Sequence, residues 1–253
     1  MKLSDFHPNP RIPYQEVAQR LKHLPWGRCT RLGLVSDYPL FVWRFIPPQP
    51  IQSVLLSAGI HGDEPSGVEC LLMLLENHPS WLRGFDLTVF PCLNPWGYEH
   101  HMRVNEQGSD VNRLWKNNPS QEVLLARRVL NHHRFDLTLC LHEDYDATGF
   151  YLYELSRHKI YDGPIVTKVV SRILPIDSRI WIERRRASHG VVTRPLESIR
   201  RRKKWPEALC HFMHYTDHTL TTETPSSFPI KKRIQAHTEA IRVMFKLLHR
   251  HNV

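Results

Sequence analysis

Short apolar runs alternate along this chain with longer stretches whose apolar residues recur at helical spacing. Residues 30–45 hold two β-rich runs on either side of Ser36-Asp37-Tyr38-Pro39, which predicts a hairpin or a pair of edge strands. Pro47-Pro48-Gln49-Pro50 ends that pattern. Ser53–Ala58 is nearly continuous in apolar character, as expected for a strand buried on both faces. A turn over 59–65 leads into a predicted helix over 66–76. Residues 86–90 predict a second strand, followed by a long polar loop containing Asn94-Pro95-Trp96-Gly97. A helix over 121–133 would bury Val123, Leu124, Ala126, Val129 and Leu130. Residues 136–141 predict a third apolar strand, 165–173 a helix, 219–222 a short strand and 233–249 a terminal helix. Strands alternating with helices give an α/β fold with a mixed, largely parallel central sheet flanked by helices. Ligands in such sheets sit beyond the carboxyl ends of the strands, where the pattern puts His61, His142 and Glu223.

Composition narrows the setting. At 253 residues the chain is long enough for one large core. No apolar run approaches the roughly 18 residues of a membrane span, and Met1 to Pro10 lacks the apolar stretch of a secretory signal. The five cysteines are scattered without a C-x-x-C pair, which suits free thiols in a reducing compartment. Together these features predict cytoplasmic residence and no membrane partner. The net charge of +9 comes largely from Arg184-Arg185-Arg186 and Arg200-Arg201-Arg202-Lys203-Lys204. No helix-turn-helix, zinc-finger or RNP-like pattern accompanies them, so they read as solvated or anion-attracting surface, with no nucleic-acid partner expected.

The candidate chemistry begins at His61-Gly62-Asp63-Glu64, an imidazole and a carboxylate three residues apart. A catalytic zinc site draws three ligands from His and carboxylate and keeps one position open, and His142 offers a third ligand from a separate strand end. In a chain with 17 histidines, H-x-x-E by itself is equally a surface loop. Between these segments lies Arg103-Val-Asn105-Glu-Gln-Gly108-Ser-Asp110-Val-Asn112-Arg113. Guanidinium groups there could steady an oxyanion and hold a carboxylate, or simply form salt bridges in a solvated loop.

The ordered set HGDE, N-P-x-G-Y (Asn94 to Tyr98), R-x-N-x-x-G-x-D-x-N-R, a strand-terminal His and a late Glu resembles the zinc metallocarboxypeptidases of the carboxypeptidase A type. It is most similar to their compact bacterial members, such as murein-peptide amidases, and is related to succinylglutamate desuccinylase and aspartoacylase. The resemblance spans residues 53–223. It implies a three-layer α/β/α zinc-peptidase-like fold in a single catalytic domain over 1–253, with strands and lead-in over 1–50 and the core over 51–253. It further implies one zinc ion held by His61, Glu64 and His142, although such donors also suit other divalent ions. Asp110 would accept a hydrogen bond from the free nitrogen of His61. Arg103 would polarise the scissile carbonyl, and Asn112 and Arg113 would bind the substrate's terminal carboxylate. Glu223 would be the general base that activates water and returns the proton to the leaving amine.

Several positions depart from the family pattern. Trp96 replaces a polar residue of N-P-D-G, and Glu143-Asp144-Tyr145-Asp146 sets an acidic run beside a metal ligand. Tyr145, Tyr151, Tyr153 and Tyr215 all compete for the role of a substrate-covering tyrosine. In such a fold residues 176–204 would form the loops that shape specificity, and the two basic clusters they carry suggest an acidic substrate. The first expected activity is hydrolysis of the C-terminal amide bond of a peptide; the second is deacylation of an N-acyl amino acid. Either substrate is small and bears a free carboxylate. Ser109 before Asp110 differs from the R-D-x-N-R of the deacylases. Only about 30 residues follow Glu223 where those enzymes carry a further β-rich domain, so peptidase is the preferred expectation. A non-catalytic basic binding protein is the third reading. No oligomeric state is signalled.

Overall fold

The computed structural model describes residues 11–195, 199 and 201–250. The first ten residues of the lead-in, and Arg200 of the second basic cluster, lie outside the described residues. Helix α1 (Tyr14–Lys22) buries Tyr14, Val17, Ala18 and Leu21, an i, i+3, i+4, i+7 stripe. Strands β1 (Arg28–Val35) and β2 (Tyr38–Phe45) form the expected hairpin. Its two turn residues, Ser36 and Asp37, both have positive φ, which matches the twist of the flanking strands.

Strand β3 (Ser53–Ala58) leads into α2 (Pro65–Asn77), and β4 (Asp86–Phe90) into the short α3 (Pro95–His100). Helix α4 (Gln121–Leu130) precedes β5 (Leu137–Asp144) and β6 (Tyr151–Ser156). Helix α5 (Gly163–Val170) follows, then three short strands, β7 (Trp181–Ile182), β8 (Arg185–Ser188) and β9 (Val191–Thr193). Helix α6 (Glu207–His214), β10 (His218–Pro225) and α7 (Ile230–Arg250) complete the chain. The region over 176–204 therefore carries strands where loops were expected.

The ten strands form one sheet in the order β1-β2-β4-β3-β5-β10-β6-β9-β8-β7. Its centre, β4-β3-β5-β10, is parallel, and antiparallel pairs flank it. Helices α1, α2, α5 and α7 cover one face and α4 and α6 the other, so the architecture is three-layer α/β/α. Alternation along β5 fixes what each layer receives. Leu137, Leu139 and Leu141 enter the core beneath α2 and α7, each contributing about 1.5–3 kcal/mol of apolar burial. The intervening residues take the other face, where the Cys140 thiol lies 3.9 Å from Nδ1 of His211 on α6.

Strands β5 and β10 run further than the apolar pattern indicates. His142 and Glu223 are paired residues inside them, not residues just beyond their ends. The polar side chains there are buried by the surrounding site, so hydropathy fades before pairing does. Among the described residues no helix is long and apolar enough to cross a membrane. All five cysteines are free, and four of them are buried.

Candidate metal centre

The loop after β3 is held in place by very close backbone approach. A Cβ on Gly62 would lie 1.9 Å from the carbonyl carbon of Gly97, so the HGDE turn and the Asn94-Pro95-Trp96-Gly97 turn fit only with glycine at that position. The Gly62 N–H donates to the Met102 carbonyl at 3.0 Å. Asn94 Oδ1 caps α3 by accepting from the Gly97 N–H at 2.9 Å. Arg11 bonds the Gly62 and Tyr98 carbonyls, tying both turns to the start of the described chain. Trp96 packs against His100 on α3 and does not line the central cavity.

Glu64 immediately precedes Pro65, the first residue of α2, and its two oxygens meet two imidazoles. His61 Nδ1 lies 2.6 Å from Oε1, and His142 Nδ1 lies 2.8 Å from Oε2. One donor atom from each of His61, Glu64 and His142 falls within 4.8 Å of the others, and all three residues are buried. His61 turns its other nitrogen to Asp110 Oδ1 at 3.2 Å. The same Asp110 oxygen accepts from the Asn112 N–H at 2.9 Å, capping the short 3-10 turn Val111–Arg113. Arg103 reaches Glu64 and Asp110, at 3.4 Å each. Asn112 is anchored by its side-chain carbonyl, which accepts from the Glu207 N–H at 2.8 Å. Arg113 lines the cavity and bonds the Asn112 carbonyl at 3.1 Å.

The electrostatics of the site follow from this close packing of charged groups. Burial alone would raise the Glu64 pKa, yet the two imidazoles hold it well below the usual carboxylate range. Burial opposes charge on His61, but Glu64 and Asp110 outweigh it and lift its pKa to about 9. His142 is pushed down, chiefly by burial. Glu223 is raised well above the ordinary value by burial and then by Glu64 and Asp144. Glu64 is thus held in its charged form between two imidazoles, and two His and one Glu are the donors of a catalytic zinc site. The residues fit such an ion.

Glu223 pairs with His142 on the neighbouring strand, about 4.8 Å away across the sheet. Both open onto a cavity of about 450 Å³ that also receives Arg103, Asn112 and Arg113. The acidic run after His142 divides by strand parity. Glu143 points away from His142 and forms a buried ion pair with Arg233 of α7, also accepting from the Ser66 N–H at 2.7 Å. Asp144 accepts from the Tyr151 hydroxyl at 2.9 Å and from Arg179 at 3.0 Å. Tyr145, Tyr151 and Tyr153 line the cavity, while Tyr215 sits in the α4–α6 core with its hydroxyl on Asn131. Of the basic clusters, Arg202 reaches the cavity and Arg184–Arg186 do not line it. Sequence reasoning missed Arg179 and Arg194, which no local motif marks, whereas Arg202 belongs to the second basic cluster.

Fold and site together define a carboxypeptidase-like α/β/α protein with a His/Glu/His donor set that could hold a metal ion. Residues 50–162 match the model of the succinylglutamate desuccinylase/aspartoacylase catalytic domain, so the resemblance read from the sequence holds. That stretch carries His61, Glu64, Arg103, Asp110, Asn112, Arg113 and His142, and ends before Glu223. The fold is shared with a candidate metallopeptidase from Shewanella baltica, at 22% identity and TM-score 0.77, over 92% of this chain and 91% of that one. A metallo-carboxypeptidase from Burkholderia cenocepacia aligns at 16% identity and TM-score 0.68, over 94% of this chain and 68% of its own. Carboxypeptidase A from Helicoverpa armigera aligns at 14% identity and TM-score 0.66, over 97% and 74%. No curated protein matches the chain in sequence.

Proposed function

We propose that this chain is a zinc-dependent metallocarboxypeptidase that hydrolyses the C-terminal amide bond of a small peptide. The observation that carries the reading is the convergence of the His61, Glu64 and His142 donors beside Glu223 on the adjacent strand, within one cavity. His61, Glu64 and His142 would hold the ion, with Asp110 orienting His61 through its free nitrogen. Zinc, when bound, supplies the positive charge that makes water acidic and polarises a carbonyl. Glu223 takes a proton from the attacking water and returns it to the leaving amine. Arg103 donates to the oxyanion, and Asn112 and Arg113 hold the terminal carboxylate.

Deacylation of an N-acyl amino acid is the second reading, favoured by the match of residues 50–162 to the desuccinylase/aspartoacylase domain. Carboxypeptidases that share the fold across nearly the whole chain support the peptidase instead. The test is to incubate zinc-loaded protein with panels of peptides and N-acyl amino acids and identify the products by mass. Release of C-terminal residues is expected, with turnover reduced by roughly 10²–10⁴ in Glu223→Gln while zinc is retained. Turnover of acyl-amino acids alone would promote the second reading, and no turnover of either panel would discard both.

A further inference from the structure

Beyond the metal donors the cavity continues along the sheet as a trough. Glu223 pairs with Tyr151, Thr221 with Tyr153, and Thr219 with Leu155, and all six line the cavity from one face. Four residues of strand advance about 13 Å, which sets the Thr219–Leu155 rung that far from Glu223. On the next strand Val192 pairs with Tyr153 and Thr193 with Glu154. The following residue, Arg194, therefore stands abreast of Leu155, at the far end of the trough.

This end is strongly cationic. The Arg194 side chain is only 10% exposed, with its guanidinium 5.2 Å from the centre of the Tyr153 ring. It donates to Glu183 at 3.2 Å, a carboxylate that is itself 56% exposed. Arg202 lines the same cavity, and its backbone carbonyl is held by Lys116 at 2.9 Å. Burial and the nearby guanidiniums of Arg194, Arg113 and Arg185 hold its pKa below the ordinary value, with Glu183 opposing them. Among the described residues no carboxylate lies within ion-pair distance of Arg113 or Arg202. Glu154, between Tyr153 and Leu155, turns its side chain to the opposite face of the sheet: its oxygens accept from the Asp162 and Gly163 N–H groups, and one lies 2.8 Å from His218. Three guanidiniums thus face one exposed carboxylate, an excess that calls for an anion.

We propose that Arg194 and Arg202 form a subsite for an acidic side chain, so that the residue released is a C-terminal glutamate or aspartate. The assignment rests on the carboxypeptidase reading, in which Arg113 is occupied by the terminal carboxylate, and Arg194 and Arg202 together keep one positive charge beyond that of Glu183 for a second one. A glutamine, equal in shape, would leave that charge uncompensated.

The test compares kcat/KM for peptides ending in Glu and in Gln, in the wild type, Arg194→Gln, Arg202→Gln and the double variant. Glutamate release is expected to exceed glutamine release by about tenfold or more, and the ratio to fall toward one in the double variant. A wild-type ratio at or below one, or equal losses on both peptides, overturns the subsite. Calorimetric titration of the zinc-loaded protein with free L-glutamate and L-glutamine separates this inference from the activity. Tighter glutamate binding that the double variant abolishes upholds the subsite even where no peptide is cleaved, in which case the carboxypeptidase reading falls alone. Equal binding of the two amino acids overturns the subsite.

Discussion

Glu207 opens α6 with its side chain fully enclosed. Its Oε1 lies 3.6 Å from Nε2 of His211, one turn further along. Burial pushes the Glu207 pKa up to about 7, against the smaller opposing effects of Ser57, His61 and Cys140. Burial also pushes His211 down to about 3. Near pH 6 the carboxyl therefore keeps its proton and the imidazole stays neutral. The folded state holds the Glu207 proton more tightly than the unfolded chain, whose value is 4.5. The resulting stability is complete below pH 4.5 and is lost as pH rises through 7. The gap of 7 − 4.5 = 2.5 units corresponds to about 3 kcal/mol. Glu207→Gln preserves the shape and cannot ionise, so that loss should vanish. His211 acts in the opposite sense, since its depressed pKa costs stability as pH falls from 6.5 toward 3. Urea unfolding of wild type and variant from pH 4.5 to 8.5 measures the difference directly. The variant should gain about 3 kcal/mol relative to wild type across that range. Parallel pH profiles for the two proteins would refute the reasoning, because they would mean that Glu207 ionises equally in both states.

Two further perturbations probe the framework around the candidate metal centre. Arg233→Met removes the cation paired with Glu143, both side chains being at most 1% exposed, and should cost about 3–5 kcal/mol in urea unfolding; a loss below about 1 kcal/mol would show that the pair does not hold α7 to β5. Asp110→Asn keeps an acceptor for the Asn112 N–H but removes the negative charge facing His61. Zinc affinity, read by competition with a chelator, should fall about 10–100-fold, and an unchanged affinity would sever Asp110 from the metal centre.

How much of this was legible in sequence depends on the range over which each signal acts. HGDE and the Asp110–Arg113 motif were readable because each is a local turn whose side chains are aimed by a few backbone angles. The hairpin around Ser36-Asp37, β3, β4 and α2 were readable for the same reason. Helix α1, absent from the elements expected above, carries a legible i, i+3, i+4, i+7 stripe from Tyr14 to Leu21. Arg194 was not legible. Its place at the trough's end follows from β9 pairing with β6, and two short strands with no clear alternation do not announce that pairing.

The acidic run after His142 shows where the boundary between the two cases lies. By residue type, Glu143 is as good a metal ligand as Glu64, and ending the third strand at Leu141 left its direction undefined. Once pairing continues to Asp144, parity decides: His142 and Glu143 must point to opposite faces. His142 then joins Glu64 in the cavity, and Glu143 is sent into the α2–α7 layer, where Arg233 meets it. A three-residue extension of one strand thus separates a candidate metal ligand, His142, from a buried structural ion pair at Glu143. Hydropathy could not supply that extension, because the residues that carry it are polar and are buried by the site they build.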